Sequence, residues 1–339
     1  IMGDLVIDDT AFGEGAYLPP GFEQKLEPNS FRSPIGAVSI NLNAVRVVVE
    51  PGAKSGDPAR VRLVPPNDHV RLQVEATTTS GAKRRLKVDS TGTQGGTTIT
   101  VTGSIGTGSR ELSVVRRIDE PAQFAGAVLA RALADIGIMF HGTVRRGLAP
   151  KGGTIVVTHT SEPMAYLMAV MNKWSSNFMA EMTLRALSTT EDAGEDKGTW
   201  AGGKRALDAC LQSLGVDTAG VQMLNGSGLY TGNEYSPRHV TSLLTTMDTH
   251  RWAPEFKASL AIAGVDGTLA RRFKGTSAAG NLRAKTGTLN EVTALSGYVI
   301  TKKGRRVAFS ILFNDTPIKS WRLRDIQDAV ARAIADSAE

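Results

Sequence analysis

Two different hydrophobic periods divide this sequence, and no other feature restricts the possible folds as strongly. Between about Ser39 and Ile118, apolar residues alternate with polar ones in short runs separated by Gly, Ser and Thr clusters. After Pro121, most apolar residues recur at helical spacing instead. Alternation indicates half-buried strands, and a period of about 3.6 indicates helices with one apolar face. The sequence therefore predicts a multi-domain α/β protein with a small all-β insertion.

The alternating runs define the predicted β insertion. Their apolar positions are Val45, Val47 and Val49, then Val70, Leu72 and Val74, then Ile99 and Val101, and finally Leu112 and Val114. Short strands at this spacing, with turn residues between them, are typical of antiparallel sheets. We therefore predict an inserted antiparallel β domain over residues 34–118.

A helix is predicted directly after this β domain. Pro121 stands where the first turn of a helix tolerates proline, and Gly137 marks the end of the helix. The apolar residues that share one face of it are Phe124, Val128, Ala132 and Ile136.

A weak internal repeat links this region to the beginning of the sequence. Residues 140–144 (FHGTV) resemble residues 1–6 (IMGDLV), and each is read as a return from a helix to a strand. The helix that would precede the first copy is not in this sequence. We therefore expect residues 1–33 and 119–150 to form a second inserted α/β domain that is incomplete at its N-terminus.

The last part of the sequence, residues 151–339, is mostly helical and ends in a hairpin followed by a helix. One helical face carries Met164, Leu167, Met168 and Met171, which we expect to pack in a core. The hairpin strands are predicted over residues 295–301 and 306–313. The apolar stripe of the final helix is Leu323, Ile326, Val330 and Ala333 or Ile334. Such an order predicts a sheet with helices packed on its faces.

The bulk composition restricts the function classes. A chain of 339 residues exceeds what one hydrophobic core usually serves, so two or three domains are expected. The net charge is +6, but the basic residues form only short pairs such as Arg84–Arg85, so nucleic acid is not an expected partner. The longest apolar stretch is interrupted by Arg131 and Asp135, which argues against a membrane span. The single cysteine, Cys210, is expected to be a small buried side chain.

Two short motifs carry the candidate chemistry. Ser175-x-Asn177 lies between two predicted helices, and Lys285-Thr286-Gly287 begins a predicted strand about a hundred residues later. S-x-N and K-T-G are two of the three motifs of serine acyl-enzymes that act on D-Ala-D-Ala peptides or β-lactams, the third being S-x-x-K. Taken alone, Ser-Ser-Asn is more often a plain loop or helix cap, and Lys-Thr-Gly is commonly a plain strand entry. Their order and spacing together favour the catalytic interpretation.

Four longer segments extend this pattern to a family. They are KWSSNFMAE (173–181), NGSGLY (225–230), AGVDGTLARRF (263–273) and RAKTGTLNEVTALSGYV (283–299). With them the chain resembles the class C penicillin-binding proteins, the D-alanyl-D-alanine carboxypeptidase/endopeptidase family with inserted domains. The sequence departs from the family pattern at Asn225, where Asp is usual, and at Tyr230, where Ser is common. These departures are expected to alter loop hydrogen bonding and not the chemistry.

The resemblance implies a fold and a set of roles. Residues 151–339 would form the C-terminal part of a transpeptidase-like domain with a five-stranded antiparallel sheet. Ser175 would relay a proton, Asn177 would hydrogen-bond the substrate amide, and Lys285 would add positive charge near the substrate carboxylate.

The remaining implied contacts lie on the same strand. Thr286 would also bind the substrate carboxylate, Gly287 would allow the strand edge to approach the ligand, and the Thr288 N–H would bind an oxyanion. No metal or cofactor is implied. The implied partners are peptidoglycan stem peptides and β-lactams, and the implied location is the periplasm or cell envelope, after secretion across the cytoplasmic membrane.

The nucleophilic serine is expected to lie outside this sequence. The S-x-x-K pattern occurs once, at Ser80–Lys83, in the β region and with Gly81 at its second position. A serine and a lysine three residues apart meet on one face only in a helix, so we assign this segment to a turn. The nucleophile would then come from an N-terminal fragment, which becomes a further expected partner.

Two other hypotheses remain open. The chain could be a non-catalytic relative that only binds wall peptide, or an envelope interaction protein that uses its β insertion for partner binding. Other catalytic patterns are weaker, since Ser227 lacks the G-x-S-x-G spacing and the five histidines show no zinc-binding spacing. The sequence leaves open whether carboxypeptidase or endopeptidase activity dominates.

Overall fold

A computed structural model describes residues 1–13, 17–25, 27–93 and 95–338. The chain forms two compact units, one made of Ile1–Val156 with Glu181–Gly202 and the other of Val157–Ala180 with Gly203–Glu339. The boundaries predicted from the sequence, at 33/34, 118/119 and 150/151, remain a proposal.

The first unit contains nine strands and one long helix among its described residues. The strands are β1 (Leu5–Ile7), β2 (Ala44–Glu50), β3 (Arg60–Val64), β4 (Val70–Val74), β5 (Thr77–Thr79), β6 (Arg84–Thr93), β7 (Gly96–Gly106), β8 (Leu112–Arg117) and β9 (Val144–Arg146), and the helix is α1 (Pro121–Asp135). Each predicted alternating run forms a strand, and α1 has the predicted start and end.

The β region contains two sheets, and only one of them is wholly antiparallel. Strands β3, β2 and β8 form an antiparallel sheet, whereas β7 pairs antiparallel with β6 but parallel with β4 and β5. The expectation of a purely antiparallel β domain is therefore wrong. The long β6–β7 hairpin occupies one edge of β7, so β4 and β5 can pair only with the other edge, where they run in the direction of β7.

The core of the first unit explains the alternation in the sequence. Val45, Val47 and Val49 of β2 are fully buried in one hydrophobic cluster with residues of β7 and α1. Burial of such β-branched residues contributes about 1.5–3 kcal/mol per side chain. The two similar segments near residues 1–7 and 140–146 lie side by side, because β1 pairs in parallel with β9.

The second unit surrounds an antiparallel sheet with helices. Its elements are α2 (Met164–Trp174), α3 (Asn177–Ala186, which continues into the first unit), α4 (Trp200–Ser213), α5 (Pro237–Thr249), α6 (Ala253–Ser259), β10 (Ala261–Ile262), β11 (Arg283–Thr288), β12 (Thr293–Ile300), β13 (Arg306–Phe313) and α7 (Ser320–Asp336). The strand order is β10-β11-β12-β13, and all pairs are antiparallel.

This sheet has four strands among the described residues of the second unit, whereas the resemblance implies five. β13 is the last strand in the order, and its outer edge pairs with no described strand. One face of the sheet forms a hydrophobic core with α7, and the other face packs against α5 and α6 through Leu244, Leu260 and Tyr298.

The burial expected for α2 and for Cys210 is wrong. No residue of α2 is buried, and Met164 is 63% exposed, so the methionine face is not a core face among the described residues. Cys210 is exposed as well, because it lies on an outer face of α4. No described helix is both long and apolar enough to span a membrane.

Candidate active site

The Lys285-Thr286-Gly287 triplet lies on β11, beside a strand edge that is only partly paired. β10 pairs with β11 only at Arg283 and Ala284, whereas β12 pairs with β11 along its whole length. From Lys285 to Thr288, the β10 side of β11 is therefore not paired with a described strand. An open strand edge offers backbone N–H and C=O groups to an extended peptide.

Ser175 contacts this strand although it lies 110 positions earlier in the sequence. The Lys285 Nζ donates a hydrogen bond of 2.7 Å to the Ser175 Oγ. Ser175 follows the last residue of α2 and has left-handed backbone angles, φ 55° and ψ 51°. That conformation costs a non-glycine residue about 1 kcal/mol, and such strain is common at functional sites. The structure thus brings the two predicted motifs together.

The Lys285 ammonium group has only neutral partners. Besides Ser175, it donates a hydrogen bond of 2.6 Å to the Thr286 carbonyl oxygen, and no described carboxylate forms an ion pair with it. The side chain is half-buried, and this burial lowers the pKa of Lys285 from 10.5 to about 8. A partly desolvated cation without a counter-ion is suited to bind an anionic group of a ligand.

The helix-cap function falls to Ser176 and not to Ser175. The Ser176 Oγ accepts a hydrogen bond of 3.3 Å from the Met179 N–H in the first turn of α3. The Ser175 hydroxyl is therefore left to Lys285. Asn177 is the first residue of α3 and is half-buried. Three adjacent polar residues thus have three different environments.

The other predicted substrate-binding residues lie along β11. The Thr286 Oγ1 donates a hydrogen bond of 2.8 Å to the Thr268 Oγ1. A Cβ on Gly287 would lie 3.2 Å from the Ala294 Cβ of the neighbouring strand, so this position favours a glycine. Thr288 is exposed at the end of β11.

An ion pair between residues outside the two motif triplets connects these segments. The Lys173 Nζ donates hydrogen bonds to the Asp266 Oδ2 (2.7 Å) and to the Leu260 carbonyl oxygen (3.0 Å). Burial favours a higher pKa for Asp266, but the hydrogen bonds from Lys173 and the Ile262 N–H outweigh it and hold the pKa below its ordinary value. The pair joins the end of α2, just before Ser175, to the segment that contains Thr268.

The glycine after Asp266 allows this close approach. Gly267 has a φ of 55°, and a Cβ there would lie 2.5 Å from the Lys173 carbonyl oxygen. In the sequence, this contact is indicated only by the AGVDGTLARRF segment (263–273), which contains Asp266 and Gly267. Its physical role depends on a contact between residues that are 93 positions apart.

The NGSGLY segment forms a hydrogen-bonded loop. Asn225 is almost fully buried, its Oδ1 accepts from the Gly228 N–H (2.9 Å), and its Nδ2 donates to the Leu229 carbonyl oxygen (3.3 Å). An aspartate could not donate the second bond. Tyr230, the other position that departs from the family pattern, adopts a φ of 65°.

The rejected nucleophile Ser80 lies in a turn. Ser80–Lys83 connects β5 to β6, and Gly81 has a φ of 85°, outside the helical region. This confirms that Ser80 and Lys83 do not share a helical face. Among the described residues, no group of three or more His, Cys, Asp or Glu side chains is placed to hold a metal ion.

Comparisons with known proteins identify a family and a fold. A profile of the D-Ala-D-Ala carboxypeptidase 3 (S13) family matches residues 1–337. The D-alanyl-D-alanine carboxypeptidase of Actinomadura sp. (strain R39) is 34% identical over 357 aligned residues, covering 100% of this chain and 64% of the relative. Carboxypeptidase DacB of Mycolicibacterium smegmatis is 31% identical over 225 residues, covering 64% of this chain and 47% of the relative. The chain thus spans less than two thirds of the length of these curated relatives.

A solved structure shares the fold. The crystal structure of penicillin binding protein 4 (dacB) from Haemophilus influenzae superposes with a TM-score of 0.78 at 22% identity, covering 99% of this chain and 75% of that one. A second structure of that protein, complexed with a novel β-lactam, has a TM-score of 0.69 and covers 88% of this chain and 71% of that one, also at 22% identity. The expected multi-domain penicillin-binding fold is confirmed.

Proposed function

This chain belongs to the D-Ala-D-Ala carboxypeptidase 3 (S13) family, and on that premise we propose that it forms part of a penicillin-sensitive serine DD-peptidase. Its substrates would be peptidoglycan stem peptides that end in D-Ala-D-Ala or are cross-linked through D-Ala. The reaction is a hydrolysis through a serine ester.

One observation carries this proposal. Lys285 is a half-buried cation that donates to the Ser175 hydroxyl and has no carboxylate partner among the described residues. A peptide lying along the open edge of β11 would place its terminal carboxylate near this charge. The same lysine would orient the Ser175 hydroxyl toward the leaving amine.

The proposed steps use each site residue once. A serine oxygen attacks the carbonyl carbon of the penultimate D-Ala while the lysine of the S-x-x-K segment accepts the hydroxyl proton, and the resulting oxyanion is bound by the Thr288 N–H. The C–N bond breaks, and Ser175 passes its proton to the departing amine and regains one from that lysine. Water then adds to the ester and releases the serine. Asn177 would hold the substrate amide, while Thr286 would bind the carboxylate beside Lys285 and Gly287 would let the peptide approach.

We further propose that the nucleophilic serine and its lysine lie outside residues 1–339. Two observations support this. The one S-x-x-K pattern in the sequence, at Ser80–Lys83, connects two strands, and the chain spans 64% of the Actinomadura relative. An N-terminal fragment of the same protein would then complete the site, and residues 151–339 would be the C-terminal part of the peptidase domain.

The same reasoning gives a place and a ligand class. Enzymes that act on wall peptides work outside the cytoplasmic membrane, so we place this protein in the periplasm or cell envelope. β-Lactams resemble the D-Ala-D-Ala terminus and carry a carboxylate, so they would bind beside Lys285 and acylate the serine.

Labelling with a fluorescent penicillin tests the proposal. The complete protein is labelled and run on a denaturing gel, and the intact mass of every band is measured. We expect the label on a part of the polypeptide outside residues 1–339. Lys285→Ala should reduce labelling at least about tenfold, because a charge-assisted contact of about 1.5–3 kcal/mol is lost. Lys274→Ala, which removes an exposed lysine from the same unit, is the matched control and should label normally.

Three results would count against the proposal. Label on a serine within residues 1–339 would contradict the assignment of the nucleophile. Equal labelling of Lys285→Ala and Lys274→Ala would contradict the site. Complete absence of label would favour the alternative of a non-catalytic relative that binds wall peptide or an envelope partner.

A further inference from the structure

A cavity in the second unit is lined by three basic side chains. It has a volume of about 260 Å³ and lies among α6, β11, β12 and the start of β13. Lys257, Arg283 and Arg306 line it together with the apolar residues Pro254, Ala258 and Ile300. The lining does not include Ser175, Lys285 or Thr286.

The positive charges around this cavity are only partly neutralised. Lys257 and Arg306 both donate to the same oxygen, Asp248 Oδ1, at 2.9 and 2.7 Å. Arg283 forms no ion pair with a described carboxylate, although its charge also acts on Asp266, which is paired with Lys173. The three cations therefore share the charge of Asp248 and part of that of Asp266, and their mutual repulsion is relieved when an anion enters.

The neutral polar groups of the cavity wall are already occupied. The Asn281 Nδ2 donates to the Ile300 carbonyl oxygen (2.6 Å), and its Oδ1 accepts from the Ile300 N–H (3.1 Å). The Tyr298 hydroxyl donates to the Leu244 carbonyl oxygen (2.6 Å). The basic side chains are therefore the groups left to bind a ligand.

The cavity is separate from the candidate active site, although both contact β11. Arg283 and Lys285 are two residues apart and point to the same face of the sheet. The end of α6 lies toward α2, where Ser259 accepts a hydrogen bond of 2.8 Å from Asn172. Tyr298, which is 3% exposed, forms part of the cavity wall.

We propose that this cavity binds a small anion with one carboxylate or phosphate group and a short apolar body. Its volume is below the range of about 300–1,000 Å³ that is usual for larger ligands. The basic residues would hold the anionic group, and the apolar residues would contact the rest of the molecule. A ligand that also carries an ammonium group would be repelled by the uncompensated cations. This proposal is independent of the proposed peptidase activity.

Isothermal titration calorimetry at constant ionic strength tests it with three probes. These are inorganic phosphate, N-acetyl-D-alanine and D-alanine. We expect saturable binding of phosphate or N-acetyl-D-alanine, with D-alanine bound more weakly than its acetylated form. Binding of phosphate alone would identify a phosphate-bearing ligand, and binding of N-acetyl-D-alanine alone would identify a carboxylate ligand.

Variants locate the bound anion. Arg283→Gln should weaken binding about tenfold or more. Arg324→Gln removes an exposed arginine from α7 and should leave binding unchanged. Lys285→Ala removes the carboxylate-binding cation of the candidate active site and should still bind the anion saturably at this cavity, which separates the two sites. Ile300→Glu places a carboxylate at a position that is 40% exposed and should abolish binding even if Arg283→Gln does not fold.

Three results would overturn the proposal. They are the absence of saturable binding of both phosphate and N-acetyl-D-alanine, unchanged binding in both Arg283→Gln and Ile300→Glu, and loss of all saturable anion binding in Lys285→Ala. The last result would assign the anion to the candidate active site.

Discussion

Ser175, Ser176 and Asn177 are adjacent in sequence but perform different tasks. Ser176 caps α3, and Ser175 takes a left-handed conformation that points its hydroxyl at Lys285. A sequence pattern of Ser-Ser-Asn before a helix does not distinguish these tasks, because either serine can cap. The left-handed backbone of Ser175 is what distinguishes the serine that contacts Lys285 from the serine that caps α3.

Comparing two substitutions at Ser175 measures this strain. Ser175→Gly and Ser175→Ala both remove the hydroxyl group that accepts from Lys285. Only glycine adopts a φ of 55° without a steric cost, so Ser175→Gly should be more stable than Ser175→Ala by about 1 kcal/mol. Urea unfolding of the two variants gives this difference. Equal stability would mean that the left-handed conformation carries no strain.

The lowered pKa of Lys285 predicts a pH dependence. Burial disfavours the charged form, so the ammonium group loses its proton as the pH rises through about 8, whereas an exposed lysine stays charged to about 10.4. Affinity for a carboxylate ligand should therefore fall between pH 7 and 9. The acetylation rate of Lys285, measured by mass spectrometry, should rise as the pH passes through about 8. A rate that rises only near the ordinary lysine pKa of about 10.4 would contradict this prediction.

At the scale of elements, α7 shows that apolar periodicity does not always identify the buried face of a helix. The predicted stripe included Ile326 and Val330, but these residues are 44% and 42% exposed. Leu323 of the predicted stripe is buried, but the rest of the buried face consists of Gln327, Ala331 and Ala335. The small alanines allow the helix to lie close to the sheet.

The polar residue on this face is accommodated by hydrogen bonds. The Gln327 side chain accepts from Arg272 and donates to the Ile311 carbonyl oxygen, each at 3.4 Å. These two hydrogen bonds offset the cost of burying the polar Gln327 side chain.

Substitutions on α7 test which face is buried. Ala331→Leu adds volume at a fully buried position and should destabilise the protein by about 1–3 kcal/mol. Val330→Ala changes a partly exposed position on the neighbouring face and should alter stability by about 0.5 kcal/mol or less. Urea unfolding monitored by circular dichroism would measure both values. The reverse order would mean that the predicted stripe forms the core after all.

At the scale of the whole molecule, the chain returns to its first unit after entering the second. Residues 181–202 belong to the first unit, where the Arg185 guanidinium lies 4.4 Å from the Phe12 ring centroid and 4.3 Å from that of Trp200. Arg185 also donates to the carbonyl oxygens of Gly198 and Ile35, and burial lowers its pKa to about 10. These contacts fix the segment in the first unit.

The connection between the units near residue 156 is expected to be a site of proteolysis. Residues 148–163 are exposed and form no helix or strand, and they include Lys151. Exposed segments of this kind are the usual sites of first cleavage. Limited trypsin digestion followed by mass spectrometry should show the first cut after Lys151, and Lys151→Gln should remove it. Earlier cleavage at Lys54 or Lys83, in turns of the β region, would contradict this expectation.

The sequence by itself determined the type and order of most elements. Alternation in β2 and helical spacing in α1 arise from neighbours within a few residues, so the local pattern carries the information. The same applies to the turn at Ser80–Lys83, which Gly81 indicated. The S-x-N and K-T-G motifs are likewise short patterns of neighbouring residues, so the sequence alone identifies them.

Only the tertiary structure decided how these parts act on one another. The contact between Lys285 and Ser175 joins residues 110 positions apart, and the lowered pKa of Lys285 results from burial by distant segments. The parallel pairing of β4 with β7 and the buried face of α7 likewise depend on which surfaces remain free once neighbouring elements have packed. Burial, charge compensation and edge occupancy are properties of the assembled chain, and a one-dimensional pattern does not contain them.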